Sequence, residues 1–83
     1  MEVIISAAAQ RDIDRLSPAI IERVIRAIRS LSRNPRPPRC LVLRNYEPLT
    51  WRLRVGDWRI LYEIDDRARV VTVTGVRHRS EAY

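Results

Sequence analysis

The chain has 83 residues, 46% of them apolar, which suits one folded domain with a modest core and excludes a disordered tail or a two-core protein. Its 16 basic and 10 acidic residues give a net charge of +6, a balance that points to a polyanionic partner such as nucleic acid, an acidic protein or an anionic surface. All 16 basic residues are arginine, so no lysine amine is available as a base, and the single cysteine, Cys40, leaves neither an internal disulfide nor a cysteine metal cluster.

Met1-Glu2-Val3-Ile4-Ile5 lacks the basic-then-apolar layout of a signal peptide, and no apolar run is long enough to span a bilayer. A cytoplasmic protein without a membrane partner is expected. Val3-Ile4-Ile5 is short and β-branched, which predicts a first strand. Ser6 can cap a helix running to about Leu16, and Ser17-Pro18 restarts one, with serine at the cap and proline at the first helical position. From Ile20 onward Ile21, Val24, Ile28 and Leu31 recur at helical spacing, while Glu22, Arg23, Arg26, Arg29 and Arg33 collect on the opposite face. The stretch Asn34-Pro35-Arg36-Pro37-Pro38-Arg39 cannot continue a helix and must be an extended connection.

Strand candidates follow at Cys40 to Arg44, Thr50 to Val55, Trp58 to Ile64 and Val70 to Val76. Cys40 reads as a small buried hydrophobe at the start of its strand. Gly56-Asp57 is a two-residue loop of the kind that closes a hairpin, since glycine supplies the positive φ such turns need. With Val55 facing Trp58, the ladder sets Arg54 against Arg59, Leu53 against Ile60, Arg52 against Leu61 and Trp51 against Tyr62. Trp51, Leu53, Val55, Trp58, Ile60, Tyr62 and Ile64 then share an apolar face for the helices, with both tryptophans in the core. Arg52, Arg54 and Arg59 share the other face with Leu61 and Glu63. Directly opposed like charges are destabilising, so something must offset Arg54 and Arg59: Glu63 pairing with Arg52, plain solvation, or a bound phosphate. Asp65 to Arg69 is the next turn, and a turn that pairs Asp65 with Arg69 brings Arg77 onto the face of Arg59; a one-residue change there reverses it. Val70 to Val76 is apolar on both faces, as an interior strand would be. The tail Arg77-His78-Arg79-Ser80-Glu81-Ala82-Tyr83 carries the only histidine.

Three stretches resemble RelE-type toxins of the RelE/ParE toxin–antitoxin superfamily: the helical pair ending in Leu31-Ser32-Arg33-Asn34-Pro35, the block WRLRVGDWRILYEIDD from Trp51 to Asp66, and the tail VRHRSEAY from Val76 to Tyr83. With the strand-helix-helix-strands order, the similarity spans nearly the whole chain as a single domain, residues 1–83. The resemblance implies an α+β fold, an antiparallel sheet of about four strands with an N-terminal helical hairpin on one face, in the order β-α-α-β-β-β. It also implies the toxin of a type II toxin–antitoxin system, a metal-independent and cofactor-independent endoribonuclease that cleaves mRNA in the ribosomal A site and so inhibits translation. The reaction is attack of a ribose 2′-hydroxyl on the adjacent phosphate, leaving a 2′,3′-cyclic end.

Carried over by position, the resemblance assigns catalysis to Arg52, Arg54, Arg59, Arg77 and Tyr83, with His78 added because an imidazole transfers protons near neutrality and related toxins often carry His-Arg here. Arg44 and Arg79 are assigned to RNA phosphate contact. An arginine can hold a phosphate bidentately but cannot give up its proton, so the base stays open between His78 and Tyr83. Tyr83 would need neighbouring arginines to favour its phenolate, and it can alternatively stack on a base. The family further implies a cognate antitoxin, expected to lay a helix or extended segment on the apolar or basic surface with acidic residues meeting the arginines. Two other readings share the fold: a ParE-like inhibitor of DNA gyrase, and an inactive relative retained for binding alone.

Overall fold

A computed structural model describes residues 1–81. Strand β1 (Glu2–Ile5) leads into α1 (Ala7–Asp14) and α2 (Pro18–Ser30); then come β2 (Cys40–Leu43), β3 (Thr50–Val55), β4 (Trp58–Asp65) and β5 (Val70–His78). Ser6 caps α1 by accepting the Ala9 N–H at 3.1 Å. Ser17 occupies the corresponding place before α2, with Pro18 at the first helical position, but its hydroxyl makes no cap bond.

The strands form one sheet in the order β1-β5-β4-β3-β2. The sheet has five strands where about four were expected, and it is mixed rather than wholly antiparallel. The reason is directional. Pairing from β2 through β5 is antiparallel at each step, whereas β1 lies beside β5 and runs parallel to it. The two helices carry the chain from β1 across one face to β2 at the far edge, and three reversals then return β5 to the direction of β1.

The β3–β4 ladder has the register expected from the Gly56-Asp57 turn, from Val55 opposite Trp58 to Trp51 opposite Tyr62. Gly56 has φ +59 and is the only one of the two loop residues with positive φ, as a type II′ turn requires. The helices cover the face bearing Leu53, Ile60, Tyr62, Val71, Val73 and Val76, and Ile13, Val24, Ile28 and Leu31 close the core from above. Trp51, Val55, Trp58 and Ile64 pack on its margin and are half-buried. Cys40 is also half-buried, rather than fully enclosed, because β2 is an edge strand.

The proline-rich connection is tied down by side chains. The Tyr62 hydroxyl donates to the Pro35 carbonyl at 2.8 Å, and Arg36 forms a two-pronged bond to Asp66 at 3.2 and 2.8 Å while its guanidinium lies 5.1 Å from the Trp51 ring centre. Strand β5 is interior over its first half, paired with β4 on one side and with β1 on the other. No helix among the described residues is long and apolar enough to cross a membrane.

Candidate functional site

The site is built on the sheet face turned away from the helices. Its placement depends on an irregularity between β4 and β5. The turn pairs Asp65 with Val70 instead of with Arg69, which by itself would send Arg77 to the core side. The register then shifts again: Tyr62 faces Val73 but Leu61 faces Gly75, leaving Thr74 as an extra residue. This bulge restores the alternation, so Val71, Val73 and Val76 all reach the core and Arg77 emerges opposite Arg59.

Two adjacent rungs result. Arg54, Arg59 and Arg77 form one, a cation on each of three neighbouring strands. Arg52, Leu61 and Gly75 form the next. Side chains directly opposed across strands have Cβ atoms about 4.5–5.5 Å apart, so the three guanidinium stems of the first rung start within reach of one phosphodiester. The stems are held differently. Arg59 is only 8% exposed, folded back so that Nη1 donates to the carbonyls of Gly56 and Trp58, each at 3.0 Å. Arg77 donates from Nη1 to Asp12 Oδ2 on α1. Arg54 is exposed. Among the described residues neither Arg54 nor Arg59 has a carboxylate partner. An arrangement of this kind cannot abstract a proton, but it can bind a phosphate and stabilise charge that grows on it.

The other expected site residues are placed elsewhere. His78 is opposite Trp58, so it projects to the helix side; its ring meets the indole edge-on with centroids 5.0 Å apart. Its Nδ1 lies 2.8 Å from Ser80 Oγ and accepts the Ser80 N–H at 3.3 Å, which leaves Nε2 to carry the proton of the neutral ring. Arg79 is tied to the β3–β4 hairpin, donating its N–H to the Asp57 carbonyl at 2.7 Å while Nε lies 3.6 Å from Asp57 Oδ1. Arg44 falls in the turn after β2, which ends at Leu43. Leu43 pairs with Thr50, so Arg44 lies beyond the opposite end of β3 from Arg54, about 16 Å away along a strand rising about 3.3 Å per residue. Tyr83 lies outside the described residues.

Two residues at the site were not singled out from the sequence. Asp12 holds Arg77; its signal is an acid on the apolar stripe of Ala9, Ile13 and Leu16. Gly75 lies under the Arg77 guanidinium, and a glycine inside a strand marks a bulge or a close approach.

Residues 3–83 match the family model described as ParE toxin of type II toxin-antitoxin system, parDE. Toxin RelG of Mycobacterium tuberculosis is 35% identical over 85 residues, covering 94% of this chain and 90% of that protein. The toxin–antitoxin complex RelBE2 from Mycobacterium tuberculosis contains a chain that superposes with a TM-score of 0.81 at 34% identity, covering 94% of this chain and 96% of that one. The archaeal RelE–RelB complex from Pyrococcus horikoshii OT3 contains another, with a TM-score of 0.82, 21% identity and coverage of 98% and 97%, a likeness of fold. The chain thus belongs to the ParE toxin family of type II toxin–antitoxin systems, within the RelE/ParE superfamily.

Proposed function

We propose that this toxin is an mRNA endonuclease acting in the ribosomal A site, and the observation that carries the reading is the rung of Arg54, Arg59 and Arg77 with Arg52 beside it. Three guanidinium stems rising from one rung of a hydrogen-bonded sheet start close to a single phosphate. Arg59 and Arg77 are already held, by backbone carbonyls and by Asp12, while the exposed Arg54 is ordered as it binds, and their donors then meet the negative charge of the phosphorane-like transition state. Metal and cofactor have no part in the scheme. The 2′-hydroxyl gives its proton to a base as its oxygen bonds to phosphorus, the P–O5′ bond breaks, the departing 5′-oxygen takes a proton from an acid, and a 2′,3′-cyclic phosphate remains. The arginines hold the phosphate; proton transfer falls to the tail, to Tyr83 or to a His78 that would have to swing away from Trp58 to reach the arginine face. Arg44 and Arg79 contribute peripheral contacts to the message. A cognate antitoxin completes the pair, as in the RelBE2 complex of the 34% identical relative, and the site of action is the cytoplasm.

The test is cleavage of ribosome-bound message by purified protein. Arg59→Ala and Arg77→Ala, checked for folding, should each lose about 2.7–4 kcal/mol of transition-state stabilisation, the effect of removing one oxyanion donor. Undiminished cleavage in both would refute the assignment. His78→Gln separates the two candidates for proton transfer: lost cleavage assigns it to His78, retained cleavage to Tyr83. The match to the ParE description favours a second reading, inhibition of DNA gyrase by the same surface. Expression in cells separates the two, since the first arrests translation and the second damages DNA.

A further inference from the structure

Among the described residues, Arg77 is the one member of the arginine rung whose guanidinium is held by a carboxylate from outside the sheet. Strand β1 stops pairing with β5 at Ile5 opposite Val73, so beyond that point the edge of β5 is open. Asp12 of α1 fills the gap. Its Oδ2 accepts the Val76 N–H at 2.9 Å, satisfying an edge donor that would otherwise lack a partner, and the same oxygen accepts from Nη1 of Arg77. The carboxylate is thereby fixed to both the helix and the strand. Gly75 supplies the floor. A Cβ built there would stand 3.0 Å from Arg77 Nη1, 3.3 Å from Cζ and 3.4 Å from Nη2, so a larger residue would lift the guanidinium off the strand. Nη1 is thus tethered and the plane is laid flat, while Nε and Nη2 have no protein partner among the described residues. Those two N–H groups form the side-on fork that receives a phosphate bidentately.

We propose that Asp12 and Gly75 form a cradle that orients Arg77, with Asp12 a positioning residue for RNA cleavage that acts only through Arg77. This rests on the nuclease reading above. An arginine free to rotate about its long stem would have to be ordered during the reaction; one tethered at Nη1 is ordered beforehand. Asp12 has no role in proton transfer here.

The experiment is a mutant cycle read in two ways. Asp12→Asn keeps an oxygen for the Val76 N–H but removes the charge, and Gly75→Ala fills the floor from the other side. Each should lower kcat for cleavage of ribosome-bound message on the order of 10- to 100-fold, with a smaller change in KM. In an Arg77→Ala background neither should cost anything more; losses that multiply, or single variants that cleave at the wild-type rate, overturn the proposal. The second reading needs no activity: NMR relaxation of the arginine Nε–H groups should find Arg77 restrained in the wild-type protein and as mobile as Arg54 in Asp12→Asn. Arg77 equally mobile in both proteins overturns the cradle. If the wild-type protein cleaves no message yet Arg77 is restrained in an Asp12-dependent way, the nuclease reading falls and the cradle stands.

Discussion

Arg59 and Arg77 stand directly opposite each other across β4 and β5, and Arg54 stands opposite Arg59 on the other side. Opposed like charges cost a few tenths of a kcal/mol or more per pair. An anion placed between them removes that cost and adds charge-assisted hydrogen bonds. An uncleavable 2′-deoxy oligonucleotide at about 100 times its Kd should therefore stabilise the fold by about 2.7 kcal/mol, a rise in Tm on the order of 10 °C for a domain of this size. Arg54→Gln should abolish most of this rise and leave the ligand-free Tm unchanged or slightly higher. Thermal denaturation with and without oligonucleotide checks both outcomes. A salt-independent shift would argue against phosphate contact.

The hairpin that aligns Arg54 with Arg59 depends on Gly56. Its φ is +59, and a Cβ there would meet Nη2 of Arg23 at 2.8 Å. Gly56→Ala pays the left-handed backbone cost of about 1–2 kcal/mol for an L residue, with the flexible Arg23 head moving aside. Arg69 in the β4–β5 turn has the same φ, +59, and already carries that cost. Replacing it with glycine should give the opposite sign, a gain of up to about 1 kcal/mol after the entropy glycine loses on folding. Chemical denaturation of the two variants tests the pair; equal signs would contradict it.

The hairpin was legible because a two-residue loop leaves one register, and every rung from Val55–Trp58 to Trp51–Tyr62 follows from Gly56-Asp57. The position of Arg77 was not fixed in the same way. Val70 to Val76 offers valine or threonine at both alternations, so the pattern selects neither register, and the outcome rests on two one-residue displacements that cancel: the turn, and the bulge at Thr74. Gly75 was the local sign of the second. The parallel pairing of β1 left no mark in its four residues, since an edge strand reads alike beside any neighbour. His78 follows Arg77 in the chain, but alternation places it on the opposite face, against Trp58. Asp12 could be noticed as an acid on an apolar stripe; its partner, 65 residues away, could not be named from the sequence.

The Arg36–Asp66 pair predicts an acid limb. The side-chain bond from Arg36, with its charge, holds the Asp66 carboxyl below its ordinary value of 3.8. A carboxyl depressed in the folded state contributes stability above its unfolded pKa and loses it as pH falls through the folded one. The contribution of this pair should accordingly begin to fall near pH 4 and be gone only below the depressed folded value, and Asp66→Asn should flatten that part of a Tm profile. Both side chains are well exposed, at 42% and 62%, so 1 M salt should remove most of the difference between wild type and variant.

Tyr62 predicts the alkaline limb, with the opposite sign. Burial pushes its phenol well above the ordinary 10.0, and the neighbouring Cys40 thiol, whose thiolate would repel a phenolate, pushes the same way; Arg36 only partly opposes them. The folded protein keeps a proton that the unfolded chain releases, so this stability is complete below pH 10 and declines as pH rises beyond it. At neutral pH Tyr62→Phe removes the donor to the Pro35 carbonyl and should cost about 1 kcal/mol, much of it from the acceptor left unpaired. Above pH 10 the variant has no phenol to ionise, so its disadvantage should shrink with each step in pH. Denaturation midpoints collected from pH 7 to 11 decide the matter: curves that converge support the buried, protonated phenol anchoring the proline-rich connection, and parallel curves exclude it.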